Sequence, residues 1–199
     1  MPKTSPPPAS ARFRYGPLLA GILLVVLLVL LVVQLSKEIR RIPPWPSKPI
    51  TSSNAFVVST IDGDTIVLRL DADGKEAHVR LLGVDTPETK RPGTSVQCWG
   101  PEASDWMKAH ALGKRVVALP DSSADNMDKY DRLLRVITIE GESLSLDEQL
   151  IQEGMGFAYP QFPFSQNARY VEDERVAREA KLGLWNPAAC PEYQSKPSR

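Results

Sequence analysis

Three short apolar runs follow one another between residues 56 and 82: Phe56-Val57-Val58-Ser59-Thr60-Ile61, Ile66-Val67-Leu68-Arg69-Leu70 and Ala77-His78-Val79-Arg80-Leu81-Leu82. All are rich in β-branched and apolar residues, and the connectors Asp62-Gly63-Asp64 and Asp71-Ala72-Asp73-Gly74 carry turn-forming residues. They read as three successive antiparallel strands joined by tight turns. Downstream, Gly100-Pro101-Glu102-Ala103 opens a helix, with proline at a permitted first-turn position and Glu102 near the positive end of the dipole, and Gly113 ends it. Residues 114–119 and 133–139 supply two more strands around a polar loop; 145–153 and 169–182 read as further helices, the latter closed by Gly183. Five strands with a helix after the third predict an α+β fold, mainly a small closed barrel of OB type packed with three helices. No internal repeat is visible.

The chain also carries an appendage. From Tyr15 to Ser36 no residue is charged, and Leu18 to Val33 is almost pure Leu, Val and Ile. Such a run matches the roughly 20 residues that cross a bilayer core. A cleaved signal peptide is the main competitor, but Gln34-Leu35-Ser36 offers no good cleavage site, so an uncleaved anchor is favoured. The expected organisation is a disordered tail over 1–14, a transmembrane helix over 15–36, a Pro-rich spacer over 37–53, a folded domain over 54–187 and a C-terminal tail over 188–199. Lys3, Arg12 and Arg14 precede the span and Lys37, Arg40, Arg41 and Lys48 follow it, so the positive-inside rule nearly cancels.

Seven of the 24 Lys and Arg, but only one of the 24 Asp and Glu, lie in the first 50 residues, which leaves the remainder acidic by six charges. That balance argues against a tight, non-catalytic nucleic-acid binder and suits an enzyme that releases its product. Within the folded part, Asp64, Arg80, Asp85, Glu88 and Arg132 lie in short polar interruptions of the apolar runs. Three carboxylates and two guanidinium groups in one cleft would hold a hard divalent cation, orient a water and clamp a phosphate, as phosphodiester hydrolysis requires. Singly, each has a plain explanation. Asp64 reads as a hairpin-turn residue, Asp85-Thr86-Pro87 as a strand-ending turn, Glu88 as a loop acid and Arg80 as a strand residue facing solvent. Only their joint occurrence favours chemistry.

Four blocks, Ile61-Asp62-Gly63-Asp64-Thr65, Arg80 through Thr89 (RLLGVDTPET), Gly100-Pro101-Glu102-Ala103-Ser104 and Asp128-Lys129-Tyr130-Asp131-Arg132, resemble in order and spacing those of the staphylococcal (thermonuclease-like) nuclease family, over about Phe56 to Trp185. The resemblance implies a nuclease acting on DNA and RNA, with Ca²⁺ held by Asp64, Asp85 and the backbone carbonyl of Thr86. It further implies Glu88 as general base or water-orienting residue, Arg80 and Arg132 as phosphate forks, Tyr130 and Tyr159 as rings packing on the nucleotide, and 3′-phosphate products. Two carboxylates and a carbonyl suit Ca²⁺, which takes six to eight oxygens. For Tyr159 an ordinary half-buried position competes equally, because Phe157, Phe162 and Phe164 crowd the same segment. The family usually has glycine where this chain has Asp131; aspartate tolerates left-handed backbone, but its carboxylate could compete for Arg132.

Cys98 and Cys190 are too few for a structural zinc site. One precedes the first helix and the other follows the last, so a disulfide between them is favoured over two free thiols; it would require an oxidising compartment. The expectation is thus a single-pass membrane nuclease with its domain outside the cytoplasm. Nucleic acid would be its substrate and the membrane its tether, with no obligate protein partner and a monomeric state. A tethered, non-catalytic nucleic-acid or protein-binding module is the alternative, and retention of the carboxylates and both arginines speaks against it.

Overall fold

The structure, a computed structural model, describes residues 27–30, 54–90 and 93–195. The first stretch is helical and belongs to a compact unit, Met1–Pro44, distinct from the unit Trp45–Arg199. The expected tail, the spacer and the rest of the expected anchor lie outside the described residues, and among these no helix is long and apolar enough to cross a membrane.

In the second unit, chain order is β1 (Ala55–Thr60), β2 (Thr65–Leu70), β3 (Glu76–Leu81), β4 (Val84–Asp85), α1 (Gly100–Ala111), β5 (Arg115–Leu119), β6 (Leu133–Ile139), α2 (Leu146–Gln152), β7 (Phe157–Ala158) and α3 (Asn167–Glu179). Five strands close a barrel in the order β1-β2-β3-β6-β5, and three helices accompany them. The first three strands pair antiparallel, as their tight turns predict. Closure comes from two contacts between strands distant in sequence: a parallel pairing of β3 with β6 and a short antiparallel one of β5 with β1. Strand pleating sorts the side chains: Val79 and Leu81 are fully inside, while Arg80 between them leaves the opposite face. Ile66, Leu68, Val116 and Ile137 join them in the barrel core.

Two features differ from the sequence expectation. β4 and β7 form a separate two-stranded sheet, too short to show a periodic pattern. The last helix begins two residues earlier than expected and ends at Glu179, because Lys181 takes the left-handed conformation (φ 56°) that breaks it. Gly183 is not the helix stop; it allows a close backbone approach, since a Cβ there would lie 2.1 Å from the Gly154 carbonyl oxygen. Ser145 caps α2 by accepting the Glu148 amide at 3.2 Å, and α1 starts from Trp99 without a side-chain cap.

A second apolar cluster lies beside the barrel core, built from Phe157, Ala177, Leu184, Trp185, Cys190 and Tyr193. Its rings meet edge to face, Phe157 lying 5.2 Å from Trp185 and 5.1 Å from Tyr193 between centroids. Cys98 and Cys190 are joined as a disulfide at its margin, with 5.9 Å between their Cα atoms. Part of the stretch expected as a tail is thereby anchored: Cys190 and Tyr193 are buried, and Tyr193 lies in a short 3-10 turn, Pro191–Tyr193, while its neighbours stay exposed.

Candidate active-site cleft

Asp64 ends the turn between β1 and β2, and Thr86 follows β4. The two meet because Gly63 leaves room: a Cβ at that position would come within 2.8 Å of the Thr86 side chain. Thr86 then donates its amide (2.8 Å) and its hydroxyl (3.0 Å) to Asp64 Oδ2, while Thr65 donates its hydroxyl to Asp64 Oδ1 at 3.1 Å. The pairing of Asp85 with Phe157 in the small sheet fixes the other carboxylate beside them.

Arg80 reaches between these acids. Its Nη1 donates to the carbonyls of Leu81 (2.8 Å) and Val84 (2.7 Å), and its Nη2 lies 3.2 Å from both Asp64 Oδ2 and Asp85 Oδ1. A single positive group thus touches both carboxylates, so their oxygens converge on a point where a cation is stable.

The second arginine is held differently. Arg132 donates Nε to Asp128 Oδ2 at 2.7 Å, its Nη2 lies 2.6 Å from the same oxygen, and its Nη1 donates to the Thr65 hydroxyl at 3.4 Å. The other oxygen of Asp128 accepts the amides of Tyr130 (2.9 Å) and Arg132 (3.0 Å). Burial pushes the Asp128 carboxyl up, but the bonds from Arg132 and Tyr130 outweigh it and leave the group below the usual carboxylate range. Asp131 does adopt left-handed backbone (φ 60°) and is exposed, so the turn made by glycine elsewhere is kept. The carboxylate that engages Arg132 is Asp128, not Asp131 as the sequence suggested. Asp128 opens the fourth motif block, but its role there depends on the loop folding back over four residues, which the sequence does not display.

Glu88 is bound at its main chain by Gln97, and its Oε1 accepts the amides of Thr89 and Lys90, both at 3.0 Å. Tyr130 and Tyr159 stand on different loops of the cleft; Tyr130 is 65% exposed, with Lys129 Nζ 5.0 Å and the Arg132 guanidinium 5.4 Å from its ring centre. The aromatic crowding after β7 resolves by depth. Phe157 and Phe164 enter the interior, whereas Tyr159 faces the cleft with Phe162 at 5.5 Å. Asp121 bonds the amide and hydroxyl of Ser165, tying the loop before β6 to the loop before α3.

All eight residues expected at the site, Asp64, Arg80, Asp85, Thr86, Glu88, Tyr130, Arg132 and Tyr159, line one cleft of about 730 Å³, a volume within the usual range for ligand sites. Cys98 and Cys190 lie outside it. Asp62, read from sequence only as a turn residue, also lines it. Burial, and then the charge of Asp64, raise its carboxyl to about 6. Among the described residues no group of three or more His, Cys, Asp or Glu forms a ready metal cluster, so the candidate donor set is two carboxylates completed by neutral oxygens.

Two carboxylates gathered on the Arg80 guanidinium, a third acid and a second arginine in the same cleft, and a closed five-stranded barrel define a barrel protein of the phosphodiester-cleaving class. The family model described as staphylococcal nuclease homologue matches residues 78–187. The thermonuclease of Staphylococcus hyicus is 32% identical over 171 residues, covering 83% of this chain and 95% of that protein. The thermonuclease of Staphylococcus intermedius is 33% identical over 166 residues, covering 81% and 94%. Endonuclease YncB of Bacillus subtilis (strain 168) is 36% identical over 137 residues, covering 67% of this chain and 62% of its own. The chain belongs to the staphylococcal nuclease family.

Proposed function

We propose that the cleft hydrolyses phosphodiester bonds of DNA and RNA with Ca²⁺ as cofactor. The chain is a nuclease by kinship with thermonucleases and an endonuclease that align with most of its length. The calcium assignment is carried by one observation: Asp64 and Asp85 each place an oxygen 3.2 Å from the same Arg80 nitrogen. An all-oxygen set of two carboxylates, with the Thr86 carbonyl adjacent, fits a hard divalent cation and leaves positions for water and phosphate. When bound, Ca²⁺ would supply Lewis-acid polarisation of a phosphoryl oxygen.

The remaining work falls to the chain's own groups. Glu88 accepts a proton from the attacking water, which must lie within hydrogen-bond reach of the carboxylate. As water adds to phosphorus and the opposite ester oxygen leaves, charge builds on the equatorial oxygens; Arg80 and Arg132 would meet it with N–H groups that in this structure bond Asp64, Asp85 and Asp128 and must turn from them to the phosphate. Tyr130 and Tyr159 hold the nucleotide by stacking, which is tolerant of sequence because every base has a π-face. The test is turnover of labelled DNA and RNA by the purified full chain with Ca²⁺ and with excess chelator. Hydrolysis should vanish with chelator while circular dichroism persists; full activity in chelator would sink the assignment.

We further propose an N-in, single-pass anchor that holds the domain outside the cytoplasm. The uncharged stretch from Tyr15 to Ser36 and the disulfide between Cys98 and Cys190 support this reading, because disulfides persist in oxidising compartments.

A further inference from the structure

Both main-chain groups of Glu88 bond to Gln97. Gln97 donates its amide to the Glu88 carbonyl at 2.9 Å and accepts the Glu88 amide on its side-chain oxygen at 3.0 Å. Because the Glu88 carboxylate caps the two amides that follow it, the side chain travels with its own backbone. Gln97 is in turn the neighbour of Cys98. That residue is bonded to Cys190, and its carbonyl accepts the Tyr193 hydroxyl at 3.3 Å.

The next two residues show how tightly this segment is held. Trp99 adopts a left-handed backbone (φ 68°), a conformation that bulky residues avoid unless their surroundings impose it, and its indole donates to the Met155 sulfur at 3.2 Å. A Cβ on Gly100 would lie 2.7 Å from Thr89 Cγ2, 3.0 Å from the Pro87 carbonyl oxygen and 3.1 Å from that of Glu88. Segment 97–100 is therefore packed directly on segment 87–89, and the disulfide ties it to the C-terminal turn.

We propose that Gln97 is the positioning residue for Glu88, and that the Cys98–Cys190 bond holds Gln97 in place, so that turnover depends on the oxidised state of that bond. The inference rests on the reading of Glu88 as the base. Reduction by a dithiol delivers two electrons and two protons, the S–S bond becomes two thiols, and the dithiol closes to its own disulfide. The apolar packing of Phe157, Trp185 and Tyr193 does not itself use the S–S bond, so the proposal expects a local consequence of reduction. A carboxylate misplaced by about 1 Å costs on the order of 10²-fold in rate.

The experiment uses the purified full chain and follows kcat, KM and the exchange rate of the Glu88 amide hydrogen, in oxidised and dithiothreitol-reduced protein. In Gln97→Ala, kcat should fall between about 10-fold and 10²-fold with KM nearly constant, and the Glu88 amide should lose protection. Gln97→Glu keeps an acceptor oxygen and should restore most of kcat and of the Glu88 amide protection. Reduction of the wild type should reproduce the Gln97→Ala loss and add little to it, because both remove one device. Full turnover or full amide protection in reduced wild type, additive losses, or global unfolding on reduction would each overturn the proposal. Near-normal turnover in Glu88→Gln would instead overturn the base assignment, and amide exchange separates that outcome from failure of the Gln97 link.

Discussion

Arg80 and Arg132 carry the same charge but different burdens. Arg80 also ties the Leu81 and Val84 carbonyls with Nη1, so Arg80→Lys removes both the proposed phosphate fork and a clasp on the turn into β4. Arg132 is held through its own loop acid, which makes Arg132→Lys the cleaner test. Turnover should fall in Arg132→Lys although the charge is kept, with thermal stability nearly unchanged. Glu88→Gln should cost about 10² to 10⁴ in rate by removing the proposed base, read as kcat in folded protein. Asp128→Asn should lower kcat as well, through loss of the charged partner of Arg132; rates equal to wild type would show that the Asp128 contacts do not orient the fork. At Asp131 the left-handed backbone predicts that Asp131→Gly is tolerated and Asp131→Ala destabilises by about 1 kcal/mol, measured by denaturant unfolding. Seven of the eight expected cleft residues lie within the family motifs and Tyr159 outside them, whereas Asp62 and Asp128, inside the same motifs, drew no role because an acid in a turn looks the same whether it caps a loop or lines a site.

At the scale of elements, five strands and three helices could be read from apolar runs and their turn residues. What could not be read was contact between elements far apart in sequence: the parallel β3–β6 pairing, the two-residue strands β4 and β7, and the backbone contact of Gly154 with Gly183. Glycine after a helical pattern ordinarily signals a stop, yet here the missing Cβ makes room for the backbone of Gly154. Gly183→Ala should therefore destabilise by about 1 to 3 kcal/mol, read as a shift in the denaturant midpoint, because the new methyl meets backbone that cannot step aside. Between α2 and the barrel, Asp147 is fully buried, with neither carboxyl oxygen in good hydrogen-bond geometry. Burial raises its pKa from 3.8 to about 7. The folded state then holds a proton more tightly than the unfolded chain, so stability falls as pH rises from about 4 to about 7 and stays reduced above. Asp147→Asn should raise the thermal midpoint above pH 7 by an amount equivalent to at most about 4 kcal/mol, and the gain should shrink toward pH 4. Equal midpoints for both proteins at pH 8 would mean that this carboxyl is not held neutral.

At the scale of the whole molecule, the cysteines link the loop of the proposed base to the compartment proposed for the domain. The folded part has only Cys98 and Cys190, and their bond closes a loop of most of the domain. In a reducing cytosol such a bond does not persist, whereas outside the cytoplasm it does, and there the calcium concentrations suited to a site of two carboxylates are also found. The flanking charges of the apolar stretch do not decide its orientation, so the disulfide is the observation that favours one side. Protease added to intact cells should therefore remove the nuclease domain and leave the N-terminal stretch with the cells, and mass analysis without reductant should find both cysteines resistant to alkylation. A domain protected from protease, with both thiols freely alkylated, would place the enzyme on the cytoplasmic side. There the Gln97 segment would work without its covalent tie, and turnover could not depend on it.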